Sequence, residues 1–147
     1  YGARGGAVRF LLDTCVISEL VRPRPDERVL DWIDAVDEAG LYLSSLTLGE
    51  LEKGISKLPV SVRRDQLRDW LERDLAERFS TRILPVDATV ALAWGRLQGE
   101  AEGAGMKLPV IDSLLAATAA CHQLTLVTRN VADFARCGVP LLNPWNA

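Results

Sequence analysis

The chain has 147 residues with 48% hydrophobic and 25% charged side chains, which suits one ordinary globular domain and is too short for two. No run approaches the roughly 18 apolar residues that span a bilayer, so we expect no membrane-spanning helix and no membrane partner. The formal net charge is −3, from 20 acidic and 17 basic residues, which argues mildly against binding nucleic acid through general electrostatics alone.

The chain alternates short apolar runs with stretches whose apolar residues recur at helical spacing. Residues 1–7 lack both patterns, so we expect an N-terminal extension or an expression remnant there and a single domain over residues 8–147. In chain order, the predicted elements are a strand at 8–12, a helix at 14–21, a helix from an N-cap at Asp26 to about Gly40, a strand at 41–43, a helix capped by Ser45 or Thr47 and ended by Pro59, a charged helix at 60–79, a weak strand at 83–84, a helix from Asp87 to about Leu97, a helix from Pro109 to about His122, a strand at 124–127, a short helix at 131–135 and a strand at 140–142.

Strands that alternate with helices, without a hairpin signal, predict an α/β fold with a central parallel sheet. In such a sheet, ligands collect outside the carboxyl ends of the strands. Asp13 directly follows the first predicted strand, Asn130 and Asp133 follow the strand that ends at Val127, and Asp112 lies at the start of a helix. Separate parts of the chain are therefore expected to bring oxygen ligands to one crevice.

The residue types exclude several kinds of active site. Three cysteines without a Cys-x-x-Cys pair suit reduced thiols in a cytosol, and one histidine, His122, is too few for a usual zinc site or a plausible hydrolase triad. The reactive groups of an enzyme are then expected to be carboxylates. Two carboxylates ~4 Å apart repel by roughly 4 kcal/mol at an effective dielectric of ~20, so a cluster of them needs a cation or protons. Oxygen ligands without His or Cys favour Mg²⁺ or Mn²⁺.

Each acid also has an ordinary structural interpretation. Asp13 can cap the helix that follows it, and Asp112 can complement the positive end of its own helix. Asp133 can be a solvated loop residue. Glu50 lies well off the apolar stripe of its predicted helix, which fits plain exposure to solvent. Periodicity by itself leaves both interpretations open for every one of these residues.

Four stretches of the chain carry a known pattern. They are LLDTCVISEL at 11–20, LTLGEL at 46–51, IDSLLAATA at 111–119 and TRNVADF at 128–134. Together and in this order they resemble the four motifs of PIN-domain nucleases. Within that family the chain is most similar to VapC toxins of bacterial toxin–antitoxin pairs, especially the FitB-like group, which its Asn-Pro-Trp sequence at 143–145 also resembles.

The resemblance implies a three-layer α/β/α fold and a single-strand-specific endoribonuclease that uses Mg²⁺ or Mn²⁺ to hydrolyse phosphodiester bonds in RNA. It also implies a cytoplasmic homodimer that a VapB-type antitoxin holds inactive. By the match, Asp13 and Asp112 would be the principal metal ligands, and Glu50 would complete the acidic cluster.

The last of the four motifs leaves the fourth acid ambiguous. Some relatives carry it where Asn130 stands and others where Asp133 stands, and the prediction here is Asp133, because Asn130 brings no charge. Cys15 departs from the Asn commonly found after the Asp-Thr pair, which puts one polar contact in doubt. The residues expected to contact RNA or to support the site are Thr14, Thr128, Arg129 and Asn130.

Two other functions stay open at this point. One is a Mg²⁺-dependent phosphatase with Asp13 as nucleophile, although the usual second Asp two residues on is replaced by Cys15. The other is a non-catalytic PIN-like module that binds RNA or a protein, an option that the uncharged Asn130 keeps alive. For the antitoxin, the prediction is a basic or aromatic tail in the acidic groove, with an arginine against the carboxylates.

Overall fold

The apolar runs of the sequence form one five-stranded parallel sheet in a computed structural model, which describes residues 8–146. The predicted extension at residues 1–7 lies outside the described residues. The strands are β1 Phe10–Leu12, β2 Leu41–Ser44, β3 Ile83–Leu84, β4 Thr125–Val127 and β5 Leu141–Leu142. They lie in the order β3-β2-β1-β4-β5, and every neighbouring pair is parallel. The predicted α/β fold with a central parallel sheet is confirmed.

Helices cover both faces of this sheet. They are α1 Thr14–Leu20, α2 Glu27–Ala35, α3 Ser45–Ser56, α4 Val62–Asp69, α5 Ala76–Arg78, α6 Ala88–Gly103, α7 Val110–His122 and α8 Val131–Phe134. A π-helical turn at Trp70–Leu75 joins α4 to α5, and 3₁₀ turns lie at Glu38–Gly40 and Pro144–Asn146. None of the helices in residues 8–146 combines the length and the apolar character that crossing a bilayer requires.

The alternation of side chains along β1 divides the core in two. Leu12 is fully buried against α1, α2, α3 and the π-helical turn, whereas Leu11 is fully buried against α6, α7 and α8. Successive residues of a strand point to opposite faces, so one short apolar strand serves both cores. This arrangement is the predicted three-layer α/β/α architecture, with β1 at its centre.

Several helix ends differ from the predictions. Asp26 caps α2 as expected and accepts a hydrogen bond from the Arg28 amide, but α2 ends at Ala35 rather than near Gly40, because Val36 has an extended backbone. The predicted caps of α3, Ser45 and Thr47, are wrong. Ser44, the last residue of β2, has the extended backbone that a cap requires, and its side chain accepts from the amide of the second helical residue.

The predicted charged helix at 60–79 is helical over a shorter range and is not uniform. It begins at Val62, because the Ser61 side chain accepts a hydrogen bond from the Arg64 amide and caps α4 there. The π-helical turn then interrupts its α-helical pattern before α5. The hydrophobic side chains Leu71 and Leu75 within this turn are buried in the core.

The carboxyl ends of the central strands are aligned by backbone hydrogen bonds. The Asp13 amide donates to the Val127 carbonyl at 2.9 Å, and the Thr128 amide donates to the Leu142 carbonyl at 2.9 Å. The residues that directly follow β1 and β4 are therefore neighbours at one edge of the sheet. That edge is where the acidic motifs of the sequence come together.

Candidate active site

Asp13 is a buried carboxylate at the end of the central strand. Only 7% of the residue is exposed. Its Oδ1 accepts a hydrogen bond from the Thr14 amide at 2.7 Å, and its Oδ2 accepts one from the Thr128 hydroxyl at 2.8 Å. The first contact makes Asp13 the N-cap of α1, so the structural interpretation of this residue holds. The same contacts also fix the direction in which its carboxylate points.

Glu50 is tied to the same place through Thr14. The Thr14 hydroxyl donates to Glu50 Oε1 at 2.5 Å, across a sequence separation of 36 residues. Glu50 is only partly exposed, so the interpretation of plain solvent exposure is wrong. A helical wheel treats α3 in isolation, whereas α1 packs beside this part of α3 and covers it.

Asp112 lies in the first turn of α7 and faces the other acids. Its pKa is raised above the ordinary value by burial, then by the negative charges of Asp13, Asp133 and Glu50. Within residues 8–146, no donor supplies a hydrogen bond that would stabilise its charged form. Its place near a helix N-terminus favours a negative charge, but burial and the three acids outweigh that effect.

The segment after β4 brings the charge of Asp133 close enough to act on Asp112. Asp133 is exposed on α8. Its negative charge raises the pKa of Asp112, and this effect is larger than the effect of the negative charge of Glu50. Asn130 is exposed, and its backbone amide donates to the Thr128 hydroxyl at 3.0 Å. The structure therefore brings four acids into electrostatic contact and gives Asn130 a backbone role in the turn.

The four expected contact or support residues divide by exposure. Thr128 is fully buried and Thr14 is partly buried, and their hydroxyls donate to Asp13 and Glu50. Arg129 and Asn130 are exposed. The two threonines are thus committed to the acids, while the exposed pair is the one whose side chains are accessible from solvent.

Cys15 is a neighbour of the site that the sequence analysis noted only as a departure from the family pattern. Its Sγ lies 3.7 Å from Asp13 Oδ2 and accepts from the Arg129 amide at 3.5 Å. Burial raises the pKa of the thiol, and the charge of Asp13 raises it further. A neutral thiol therefore packs against Asp13, and the only signal for it in the sequence is its place two residues after that acid.

The donor chemistry of this cluster fits a hard divalent cation. All four acids offer oxygen ligands, which Mg²⁺ and Mn²⁺ prefer. Within residues 8–146, however, no three His, Cys, Asp or Glu side chains form a group that could hold a metal ion as they lie. Asp13 and Glu50 are held by hydroxyl groups, whereas no donor among residues 8–146 holds the side chain of Asp112 or Asp133, so these two carboxylates are the ones that can move towards a cation.

The fold and the cluster define an α/β protein with an acidic candidate active site at the carboxyl edge of a parallel sheet. The family model described as PIN domain matches residues 10–139, and the chain belongs to the PIN-domain family. The family resemblance found in the four motifs is thereby confirmed.

Similar proteins extend over nearly the whole chain. It is 42% identical over 138 residues to the plasmid stability protein StbB of Pseudomonas syringae pv. tomato, an alignment that covers 94% of this chain and 99% of that one. It is 38% identical to the toxin FitB of Neisseria gonorrhoeae (93% and 99% covered) and 36% identical to the VapC ribonuclease Y4jK of Sinorhizobium fredii (92% and 97%). The crystal structure of FitAcB from Neisseria gonorrhoeae has a TM-score of 0.88 at 38% identity and covers 94% of this chain and 99% of its own.

Proposed function

We propose that this protein is a divalent-metal-dependent endoribonuclease and the toxin of a cytoplasmic toxin–antitoxin pair. Among its relatives, FitB is named a toxin and Y4jK a VapC ribonuclease. The observation that carries the proposal is Asp112, a half-buried acid without a donor that faces three other acids. Carboxylates in that arrangement need a cation to remain ionised together.

Mg²⁺ or Mn²⁺ would be held by Asp13 and Asp112, with Glu50 completing the set. When bound, the cation supplies stabilisation of negative charge at the scissile phosphate and makes water a stronger nucleophile. It also answers the objection from net charge, because a divalent ion turns an acidic pocket into a place where a phosphate can bind.

The protein's own side chains hold these groups in place and handle the proton. Thr128 and the Thr14 amide fix both oxygens of Asp13, and the Thr14 hydroxyl fixes Glu50 Oε1. Glu50 Oε2 and the Asp133 carboxylate are then the groups that position the attacking water and take its proton. Water adds to phosphorus, one phosphorus–oxygen ester bond breaks, and the leaving oxygen takes up a proton.

The proposed antitoxin contact joins this acidic cluster to an apolar pocket beside it. The pocket lies next to Thr14 and Glu50, and its apolar walls come from Val21, Leu51, Ile55, Leu58, Leu67 and Trp70. A tail of a VapB-type antitoxin with apolar or aromatic residues would fill this pocket, and an arginine on it would meet the carboxylates. A homodimer is proposed with it, as the resemblance implies.

The site does not support the two alternative functions, a phosphatase and a non-catalytic binding module. Cys15 places a thiol rather than a second acid beside Asp13, so nothing in the site supports a phosphatase with an aspartyl nucleophile. The uncharged Asn130 favoured a non-catalytic module, but Asp133 contributes the negative charge near Asp112.

The test is cleavage of single-stranded RNA by protein freed from its antitoxin. We expect cleavage with Mg²⁺ or Mn²⁺, none with chelator, and severe loss in Asp13→Asn and Glu50→Gln. The matched control is Glu52→Gln, two residues along α3, where the carboxylate pairs with Arg68 at 2.9 Å instead. Activity that survives both site substitutions, or that persists in chelator, ends the assignment. A wild type that binds RNA but cleaves none with any metal is the non-catalytic module.

A further inference from the structure

A second, polar pocket is linked to the acidic cluster through Thr128 and Arg129. It is lined by Glu19, Arg22, Arg24, Asp26, Arg129 and Trp145. Arg129 directly follows the threonine that donates to Asp13, and its amide donates to the thiol packed against Asp13. The pocket and the acidic cluster therefore share the segment that directly follows β4.

The acids of this pocket are already engaged by other groups. Glu19 is 4% exposed, and its Oε2 accepts from the Asp26 amide at 2.9 Å while its Oε1 pairs with Arg22 at 3.3 Å. Asp26 accepts three hydrogen bonds from Arg28, one from the amide and two from the guanidinium, which lower the pKa of the Asp26 carboxyl. Both carboxylates are thus satisfied within the fold.

Two arginines of the pocket are less fully engaged, and one of them, Arg129, acts on the Asp26 carboxyl through its charge, which lowers the pKa of that group further. Within residues 8–146, neither Arg24 nor Arg129 forms an ion pair. Both are exposed. The Arg129 guanidinium carbon lies 5.2 Å from the centroid of the Trp145 ring. Because Trp145 is only 4% exposed, its indole is a fixed platform for the guanidinium rather than a surface on which a base could stack.

The Asn-Pro-Trp sequence at 143–145 explains how Arg129 is held. The Asn143 side chain donates to the Arg129 carbonyl at 3.5 Å and accepts from the Trp145 amide at 2.9 Å. One short segment thus contacts Arg129 at its backbone through Asn143 and at its side chain through Trp145. This motif was singled out in the sequence but has no part in the acidic cluster.

We propose that Arg24 and Arg129 form an anion subsite that binds an RNA backbone phosphate flanking the one at the acidic cluster, with Asn143 and Trp145 as positioning residues. The inference rests on the proposed ribonuclease function. A planar guanidinium held on an aromatic ring presents its donors in the geometry that a phosphate accepts. Positive grooves that follow the backbone are the general means of holding single strands. An acidic protein has particular need of such a local subsite.

The experiment measures RNA binding separately from cleavage. Every variant is made in an Asp13→Asn background, and a fluorescently labelled single-stranded oligoribonucleotide is followed by anisotropy over a range of salt concentrations. Arg24→Ala and Arg129→Ala should each raise the Kd about tenfold. Each should also make the negative slope of the logarithm of the association constant against log salt less steep by about 0.7, because one phosphate contact is lost. The control is Arg96→Ala, an exposed arginine on α6 outside the pocket, which should change neither quantity appreciably.

Arg129→Lys separates charge from geometry. It should keep the salt slope, because the charge remains, but raise the Kd several-fold, because an ammonium group lacks the planar fork that the indole orients. A substitution that acted only through folding would instead alter thermal stability, which should stay at the wild-type value since the side chain is exposed.

The outcomes separate the subsite from the function. If wild type cleaves RNA but both alanine variants bind it like the Arg96→Ala control, the subsite is overturned and the ribonuclease stands. If RNA affinity is unchanged but a co-expressed antitoxin is released, the pocket faces a protein and the subsite is again overturned. A wild type that neither binds nor cleaves RNA overturns both proposals.

Discussion

Acidic side chains have opposite surroundings in two regions of this protein. The Glu38 carboxylate pairs with Arg78 at 2.8 Å and with Arg82 at 3.1 Å, and the hydrogen bond from Arg78 leads the effects that lower its pKa. Asp112 is surrounded by acids instead, and burial and their charges raise its pKa. The charge of Glu38 is therefore balanced within the fold, whereas that of Asp112 requires a partner from outside it.

The same contrast occurs within one helix. On α3, Glu52 pairs with Arg68 at 2.9 Å and accepts from the Ser56 hydroxyl at 2.7 Å. Two residues earlier, Glu50 accepts a hydroxyl hydrogen bond from Thr14 and no cation pairs with it within residues 8–146. Composition does not distinguish these glutamates. What separates a structural acid from a candidate catalytic one is whether the fold supplies the counter-charge.

The largest effect is expected from removing the unbalanced charge itself. Asp112→Asn should lower kcat/KM for single-stranded RNA about 10³-fold, or ~4 kcal/mol of transition-state stabilisation, because the cation loses a charged ligand. The measurement is single-turnover cleavage at saturating Mn²⁺. Asp87→Asn is the control: Asp87 caps α6, and asparagine caps a helix equally well. If Asp112→Asn keeps more than a small fraction of the activity, Asp112 is not a catalytic acid despite its surroundings.

A smaller loss is expected when the support of an acid is removed. Thr128→Val deletes the hydroxyl that donates to Asp13 Oδ2 at 2.8 Å and should weaken Mn²⁺ binding roughly 10–100-fold, as for outer partners of metal ligands generally. Calorimetric titration measures it. Thr118→Val is the matched control, because Thr118 is also fully buried but donates to the Leu114 carbonyl within α7. If Mn²⁺ affinity falls equally in both variants, the loss comes from removing any buried hydroxyl and not from the contact between Thr128 and Asp13.

The fold was largely predictable from the sequence because its signals are local. Apolar runs predicted the five strands near their places along the chain, though not their order in the sheet, and Asp26 was recognisable as a cap from its position before a helical stripe. The errors occur where the deciding interaction is not periodic. The π-helical turn at Trp70–Leu75 shifts hydrogen bonds without breaking the apolar stripe, and Ser44 serves as the last residue of a strand and as a cap at once.

The candidate site was predictable only in part. Asp13 follows from the rule that ligands meet at strand ends, and the four motifs identified the family. The environment of Glu50 was not predictable, because it depends on Thr14, 36 residues away. The effect of Asp133 on Asp112 likewise depends on how two different helices pack, and spacing along the chain does not contain that proximity.

The balanced region is expected to affect stability and not activity. The Arg82 guanidinium donates to the carbonyls of Glu38, Leu41 and Arg78 as well as to the Glu38 carboxylate, and only 16% of its side chain is exposed. Arg82→Ala should lower the free energy of unfolding by roughly 1–3 kcal/mol and leave RNA cleavage unchanged. Urea denaturation measures the first quantity. The control, Arg73→Ala, removes a side chain that is 75% exposed and pairs loosely with Asp69 at 3.6 Å, so it should cost less than about 0.5 kcal/mol.

The smallest effect has the opposite sign and tests the contrast most directly. Without metal, Asp112→Asn should stabilise the protein at neutral pH by about 0.5–1 kcal/mol, or roughly 1–4 °C in Tm. The pKa of Asp112 is raised from 3.8 on folding. Between the pKa of Asp112 in the unfolded chain and its higher pKa in the folded protein, the folded wild type binds more protons than the unfolded chain. The stability of the wild type therefore falls as the pH rises through this range, and it stays lower at every pH above the folded-state pKa.

The advantage of Asp112→Asn should therefore be absent at acid pH, grow through that window and remain at neutral pH, as measured by thermal unfolding in chelator. Glu38→Gln should show the reverse. The pKa of Glu38 is lowered in the folded protein. The stability that its ionised carboxylate contributes is therefore present above the pKa of the unfolded chain and is lost as the pH falls through the pKa of the folded protein. Added Mn²⁺ should stabilise wild type more than Asp112→Asn, since the ion supplies the missing counter-charge. If both variants shift the Tm in the same direction in chelator, the acids around Asp112 are not in conflict, and the distinction between the two regions fails.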